Sequence, residues 1–237
     1  SSGLINSYLD VYDSPLRDFL NEMKNEDAEN EILALLEKAS GMKVLIVGDA
    51  IVDEYQHVTP LGKAAKENII TTLYNDKEEF AGGVIAAANH IASICAEVEV
   101  LTALGMEDSR EDLLRSHLKS NVSMHALRVE GRPTTRKVRF VEDGYVRKLF
   151  EVYFMNDRPL LDSYRRELNA LIIKKANNVD LVVVTDFGHS LIDDDTVRVL
   201  RDSAKFLAVN TQTNSGNQGF NLATKYLGAD YVCIDTP

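Results

Sequence analysis

The run Lys43-Val44-Leu45-Ile46-Val47-Gly48 constrains this chain more than any other stretch. It is apolar without polar alternation, the pattern of a strand buried on both faces in a parallel sheet covered by helices. Two carboxylates follow, Asp49 and Asp53, and both are expected within one short turn. Acids just past the carboxyl end of a central strand stand where open α/β sheets bind ligands. Taken alone, the stretch fits equally well an Asp49 that caps a turn and an Asp53 that is merely solvated.

Three further apolar runs share this form: Leu181–Val184 before Thr185-Asp186-Phe187-Gly188-His189, Phe206–Val209 before Asn210, and Val232–Ile234 before Asp235. With Val98–Leu101 they predict five strands of a mainly parallel, doubly wound α/β sheet whose carboxyl edge carries the site. Helices are expected between them, around Leu113, Leu114 and Leu118, around Leu168, Leu171 and Ile172, from Thr196 to Ser203, and through Leu222. Ala81-Gly82-Gly83 opens another, Val84–Ala92. Paired glycines at a helix start either expose backbone N–H groups to an anion or allow close packing on the sheet, and close packing is the commoner use.

Two other stretches have a different texture. Ile69–Tyr74 is β-branched and aromatic, while Thr135–Val141 alternates charged and apolar residues, turns at Asp143-Gly144 and returns from Val146 to Phe154. They predict a small, half-exposed antiparallel sheet flanking the core, with segments near 54–80 and 130–155 forming a lid. Residues 1–40 read as a linker with two short helices, built on Leu16, Phe19, Leu20 and Met23 and on Ile32, Leu33, Leu35 and Leu36. The remainder, 41–237, reads as one domain. From the abrupt start, a piece of a longer protein is expected.

A formal charge of −11 argues against nucleic acid or an anionic membrane as partner. No apolar run approaches a membrane span and no signal peptide opens the chain, so the expected address is cytoplasmic. Cys95 and Cys233 lack metal-ligand spacing and read as buried reduced thiols. The five histidines show no ligand spacing either and read as surface or capping residues, with His189 alone near the expected site. Neither a P-loop nor a G-x-G-x-x-G fingerprint is present.

Gly48-Asp49-x-x-x-Asp53, Ala81-Gly82-Gly83 entering an Ala-rich helix, and Leu104-Gly105-x-x-Asp108 together resemble the ribokinase or pfkB-type sugar kinases. Within that family the hairpin Thr135-Arg136-Lys137-Val138-Arg139 with Arg147-Lys148-Leu149, and Thr185–His189, are similar to the kinase domains of bifunctional ADP-heptose synthases. The resemblance covers about residues 42–237. It implies a ribokinase-type fold with a β lid, ATP and Mg2+ as cofactors, a sugar or sugar phosphate as substrate, and a homodimer through the lid. It makes Asp53, Gly82, Gly83, Lys137 and Arg139 the sugar-side candidates, and Asn210 and Asp235 the nucleotide-side ones. Ser1-Ser2-Gly3-Leu4-Ile5 is similar to the end of a cytidylyltransferase-type domain, which suits a nucleotidyltransferase fusion.

The chain also departs from that pattern. Ala86 stands where the family has an Asn that touches the sugar, and Asn210-Thr211-Gln212 where the heptose kinases have Asp-Pro-Lys. The Gly-Ala-Gly-Asp turn that supplies the family's anion hole and general base is not in the sequence, and it is expected beyond Pro237. General-base assistance is worth about 100- to 10,000-fold, so this polypeptide alone is expected to be inactive, with Asp186 a weak stand-in for the base. Two readings stay open: a heptose-type carbohydrate kinase domain of nucleotide-sugar synthesis, and a kinase-derived module that binds sugar or dimerises without catalysis.

Overall fold

The computed structural model describes residues 12–25, 27–144, 147–213, 216 and 219–235. The chain divides into two compact units, Ser1–Gly41 and Met42–Pro237. The first contains helix α1 (Ser14–Asn25) and helix α2 (Ala28–Ser40). Leu16, Phe19, Leu20, Ile32, Leu33, Leu35 and Leu36 all remain exposed, and neither helix buries a residue. The cytidylyltransferase-like Ser1–Ile5 lies outside the described residues.

In the second unit, six parallel strands form the core sheet in the order β10-β9-β8-β1-β4-β5. They are β1 (Lys43–Gly48), β4 (Glu97–Glu107), β5 (Val122–Pro133), β8 (Leu181–Asp186), β9 (Leu207–Thr211) and β10 (Tyr231–Cys233). The unbroken apolar run of β1 has its reason in the layers on either side. Leu45 and Val47 pack against Leu168 and Ile172 of α5 (Asp162–Ala176) and Val197 and Leu200 of α6 (Asp194–Ser203). Val44 and Ile46 face the other way, toward Val84, Ile85 and Ala88 of α3 (Val84–Ile91) and Leu114 of α4 (Glu111–Ser116). Each such side chain contributes about 1.5–3 kcal/mol on leaving water.

All five expected core strands are present and parallel, although Phe206 and Ile234 fall just outside them. The sixth, β5, was not legible as a core strand. It buries Val122, Met124, Leu127 and Val129 and exposes residues between them, as an edge strand does, so it shows no continuous apolar run. Helix α4 ends at Ser116, short of Leu118, and the expected helix through Leu222 is a single 3-10 turn, Ala223–Tyr226. Cys95 is half-buried and Cys233 exposed on β10, so the expectation of two buried thiols is corrected for Cys233.

The lid is a four-stranded sheet in the order β3-β2-β6-β7: β2 (Ala50–Lys63), β3 (Ile70–Gly83), β6 (Thr135–Glu142) and β7 (Arg147–Phe154). The expected return strand begins at Arg147 among the described residues, and Val146 lies outside them. The sheet is mixed rather than antiparallel, because β2 runs parallel to β6 while β2–β3 and β6–β7 are antiparallel. Strand β2 also corrects the expected turn. The chain re-enters extended structure at Ala50, so Asp53 sits in a strand and only Asp49 occupies the connection. Its polar run Asp53-Glu54-Tyr55-Gln56-His57 hid this strand. Ala50 and Val52 still pack in the core, so the lid grows directly out of it.

Candidate functional site

Strands β1 and β8 are neighbours in register, Gly48 opposite Thr185, so the acids that follow them arrive side by side. Gly48 has a steric reason: a Cβ there would overlap the Thr185 side chain and carbonyl. Asp49 is buried, and its Oδ2 accepts from the Phe187 N–H at 2.9 Å. Burial, reinforced by the charge of Asp186, pushes its carboxyl up to about 7; the Phe187 and His189 N–H groups and Lys225 only partly oppose this. Asp186 is better supplied. It accepts from Tyr226 Oη at 2.6 Å, from the Gly188 N–H at 2.9 Å and from Lys225. Burial and the Asp186 charge push the Tyr226 phenol far up, so it stays a donor.

His189 departs from the sequence expectation of a surface or capping residue. It is buried, and its Nδ1 lies 3.1 Å from Asp157 Oδ1. Burial, with Lys137 nearby, pulls its imidazole below the ordinary range. The ring is therefore neutral at neutral pH.

Above this edge, the lid presents one charged face. Asp53, Lys137 and Tyr153 share one row across β2, β6 and β7, and Tyr55, Arg139 and Glu151 share the next row on the same side. Arg139 binds Asp53 through Nη1 and Glu151 through Nε, the latter at 2.9 Å. Lys137 is buried over the Tyr153 ring, 5.4 Å from its centroid. Burial lowers its ammonium, against the attraction of Asp53 and Asp49. Both glycines at the start of α3 serve close approach. A Cβ on Gly82 would overlap the Asp53 carboxylate, and Gly83 has φ 56° and a position where a Cβ would overlap the Asp49 carbonyl. That carbonyl accepts from the Val84 N–H at 2.9 Å, which ties α3 to the acid-bearing connection.

The structure thus brings Asp53, Gly82, Lys137 and Arg139 onto one face, with Gly83 adjoining. A cleft of about 610 Å³ opens there, lined among others by Asp53, Tyr55, Phe80, Gly82 and Ala86. Asn89 faces elsewhere: it is committed to the His117 carbonyl and the Lys119 N–H.

Asn210 and Asp235 do not join that group. They lie on and just beyond β9 and β10, and Asn210 Nδ2 is taken by the Cys233 carbonyl at 3.2 Å. Asp235 lines a separate cleft of about 430 Å³ with Thr211, Gln212 and Asn221. Among the described residues this cleft has one carboxylate and no Lys or Arg, and no cluster of three His, Cys, Asp or Glu fit to hold a metal is found. A triphosphate with Mg2+ is not matched by these residues alone. Asp157, Glu151, Lys225 and Tyr226 were missed from the sequence. Each lies in a loop, a flanking strand or a 3-10 turn and belongs to no motif of its own, and only the fold brings it to its partners.

No protein-family model matches the chain. It is 26% identical over 181 residues to the bifunctional protein HldE of Hyphomonas neptunium, covering 76% of this chain and 36% of that protein. It is 29% identical over 174 residues to HldE of Rhodopseudomonas palustris, covering 72% and 34%. The chain thus spans about a third of the length of the curated relatives it matches. In fold it is similar to Arabidopsis thaliana ribokinase complexed with ribose and ATP, with a TM-score of 0.55, 16% identity, and 82% of this chain and 60% of that one covered. A possible 1-phosphofructokinase from Thermotoga maritima gives a TM-score of 0.55 at 12% identity, covering 82% and 72%. The fold is that of the ribokinases, and in sequence the chain is similar to HldE.

Proposed function

We infer that residues 42–237 form the sugar-binding part of a pfkB-type carbohydrate kinase domain acting on a heptose-like sugar or sugar phosphate in nucleotide-sugar synthesis. The observation that carries this reading is the shared face of Asp53, Gly82, Lys137 and Arg139, of which Asp53 and Gly82 line an open cleft. Asp53 has oxygen to accept sugar hydroxyls, and Lys137 and Arg139 supply the cations that a phosphorylated sugar requires in a chain of net negative charge. Phosphoryl transfer is mainly positioning and charge neutralisation, and the positioning half is the part these residues provide. ATP enters the reading through the ribokinase complexed with ribose and ATP, and Mg2+ through the family resemblance alone. The residue set accounts for no general base, and Asp186 is a poor one, since Tyr226, Lys225 and Gly188 already occupy its oxygens.

Two observations favour the second reading, a sugar-binding module without catalysis. Ala86 lines the cleft where a hydrogen-bonding side chain would touch a ligand, and Asn210 is spent within the sheet. In either case pairing through the lid is part of the proposal, since Phe150, Val152 and Phe154 stay largely exposed on its outer strand. A cytoplasmic setting is likewise proposed; among the described residues no helix is long and apolar enough to cross a membrane.

Calorimetric titration with heptoses, hexoses and their phosphates tests the site, and Asp53→Asn should weaken sugar binding roughly 10- to 100-fold, the worth of a hydrogen bond to a charged group. Sugar-dependent consumption of ATP separates the two readings. The assay sets this polypeptide beside its full-length parent: turnover in either supports the kinase, binding without turnover in both supports the module, and absence of binding refutes both.

A further inference from the structure

We propose that His189 recognises the sugar directly, with Nε2 accepting a hydrogen bond from one hydroxyl of the ligand. The inference rests on the sugar-site reading above and adds to it a residue outside the lid.

The geometry is specific. The His189 side chain is 3% exposed, and Nδ1 is engaged by Asp157 at 3.1 Å. Nε2 is buried and has no hydrogen-bond partner among the described residues. Buried polar side-chain atoms are nearly always satisfied, so the atom calls for an occupant. A carboxylate only accepts, which places the ring proton on Nδ1 and leaves a lone pair on Nε2. Burial and the Lys137 ammonium keep the ring from taking a second proton, against the charges of Asp157 and Asp186. His189 therefore offers an acceptor, where Lys137 and Arg139 offer donors.

Size narrows the occupant further. His189 lines a cavity of about 30 Å³ with Asp49, Arg132, Thr134 and Asn156. That is room for a water-sized group. It suits a hydroxyl better than a phosphate. The matching group is a single O–H projecting from a neutral part of the ligand, and the competing occupant is a water.

The support is held in place. Ser190, with φ 63°, takes a conformation that residues other than glycine rarely adopt, and its Oγ donates to the Asp157 carbonyl at 2.5 Å. Gly188, with φ 74°, turns the chain on the other side of His189. Both members of the Asp157–His189 pair are thus fixed before a ligand arrives, as a recognition site requires.

The test uses the full chain, a panel of heptoses, hexoses and their phosphates, and deoxy analogues of whichever sugar binds wild type. His189→Leu should weaken that sugar about 3- to 10-fold, the worth of one neutral hydrogen bond. His189→Gln, whose carbonyl reaches the place of Nε2, should recover most of the loss. One deoxy analogue should bind wild type and His189→Leu equally. In wild type labelled with 15N-histidine, the His189 Nε2 resonance should read as unprotonated and should move when that sugar saturates the protein. A structural role alone would move neither the analogue comparison nor the resonance. Equal affinity of wild type and His189→Leu for the bound sugar overturns the proposal and leaves the sugar site standing. An Nε2 resonance indifferent to saturating sugar overturns it even if His189→Leu fails to fold. A wild type that binds none of the panel removes the sugar-site reading and this inference with it.

Discussion

Replacing Asp49 with Asn should make the protein more stable relative to wild type as the pH rises. In the unfolded chain this carboxyl releases its proton near 3.8, whereas in the fold it does so at about 7, because it is buried beside Asp186. Between those values the folded state binds more protons than the unfolded one. Stability from this group is complete below pH 3.8 and is lost as the pH rises through 7. The gap is about three pH units at about 1.36 kcal/mol each, so up to about 4 kcal/mol is at stake. An amide stays neutral throughout, keeps an oxygen for the Phe187 N–H, and never incurs this loss. Urea unfolding of both proteins from pH 4.5 to 8 measures it, since other groups largely cancel in the difference. The Asp49→Asn variant should gain on wild type steadily up to pH 7 and then level off. At the usual 2–4 °C per kcal/mol for a domain of this size, the full effect approaches roughly 10 °C in melting temperature. A difference that stays flat within about 1 kcal/mol across that range would refute the account of Asp49 as a buried, uncompensated carboxyl.

Gly82→Ala forces a Cβ into the Asp53 carboxylate, and should cost about 1–3 kcal/mol in thermal or urea unfolding. Tyr226→Phe removes the 2.6 Å hydrogen bond to buried Asp186, and a loss of about 1.5–3 kcal/mol is expected in the same measurement. His57 lies between Asp143, at 2.7 Å, and Glu78, at 3.1 Å, and hydrogen bonds to Glu78 first and Asp143 second raise its imidazole above the usual range. Its contribution is therefore complete below pH 6.5 and lost as the pH rises through the raised value. Melting curves should show wild type exceeding His57→Gln by more at pH 5.5 than at pH 8.5.

Buried parallel strands announced themselves because both faces of β1, β8 and β9 need apolar residues, and the same runs located Asp49 and Asp186 at their ends. Asp53, Lys137 and Arg139 were found as candidates for a different reason, through family-like spacing, and the register of β2 on β6 brings them together. Strand β2 itself escaped notice because its lid portion carries charged residues on both faces: Asp53 toward Arg139, Glu54 toward Arg136. His189 was read as a surface residue since nothing in the chain near it signals Asp157. That partner comes from the loop after β7, and a pairing across folded loops leaves no periodic trace.

The way β2 leaves the core has a mechanical consequence. Ala50 and Val52 are clamped in the hydrophobic interior, and Asp53 follows without a flexible joint. A plate fixed along its root does not swing like a door; it flexes like a cantilever, with displacement growing toward the free end. The breaks in register between His57 and Val58 and between Pro60 and Gly62 lie toward that end, where the ladder is weakest. Compliance is thereby concentrated at the tip, while Asp53 and Gly82 at the root keep their spacing to Asp49 whatever the tip is doing.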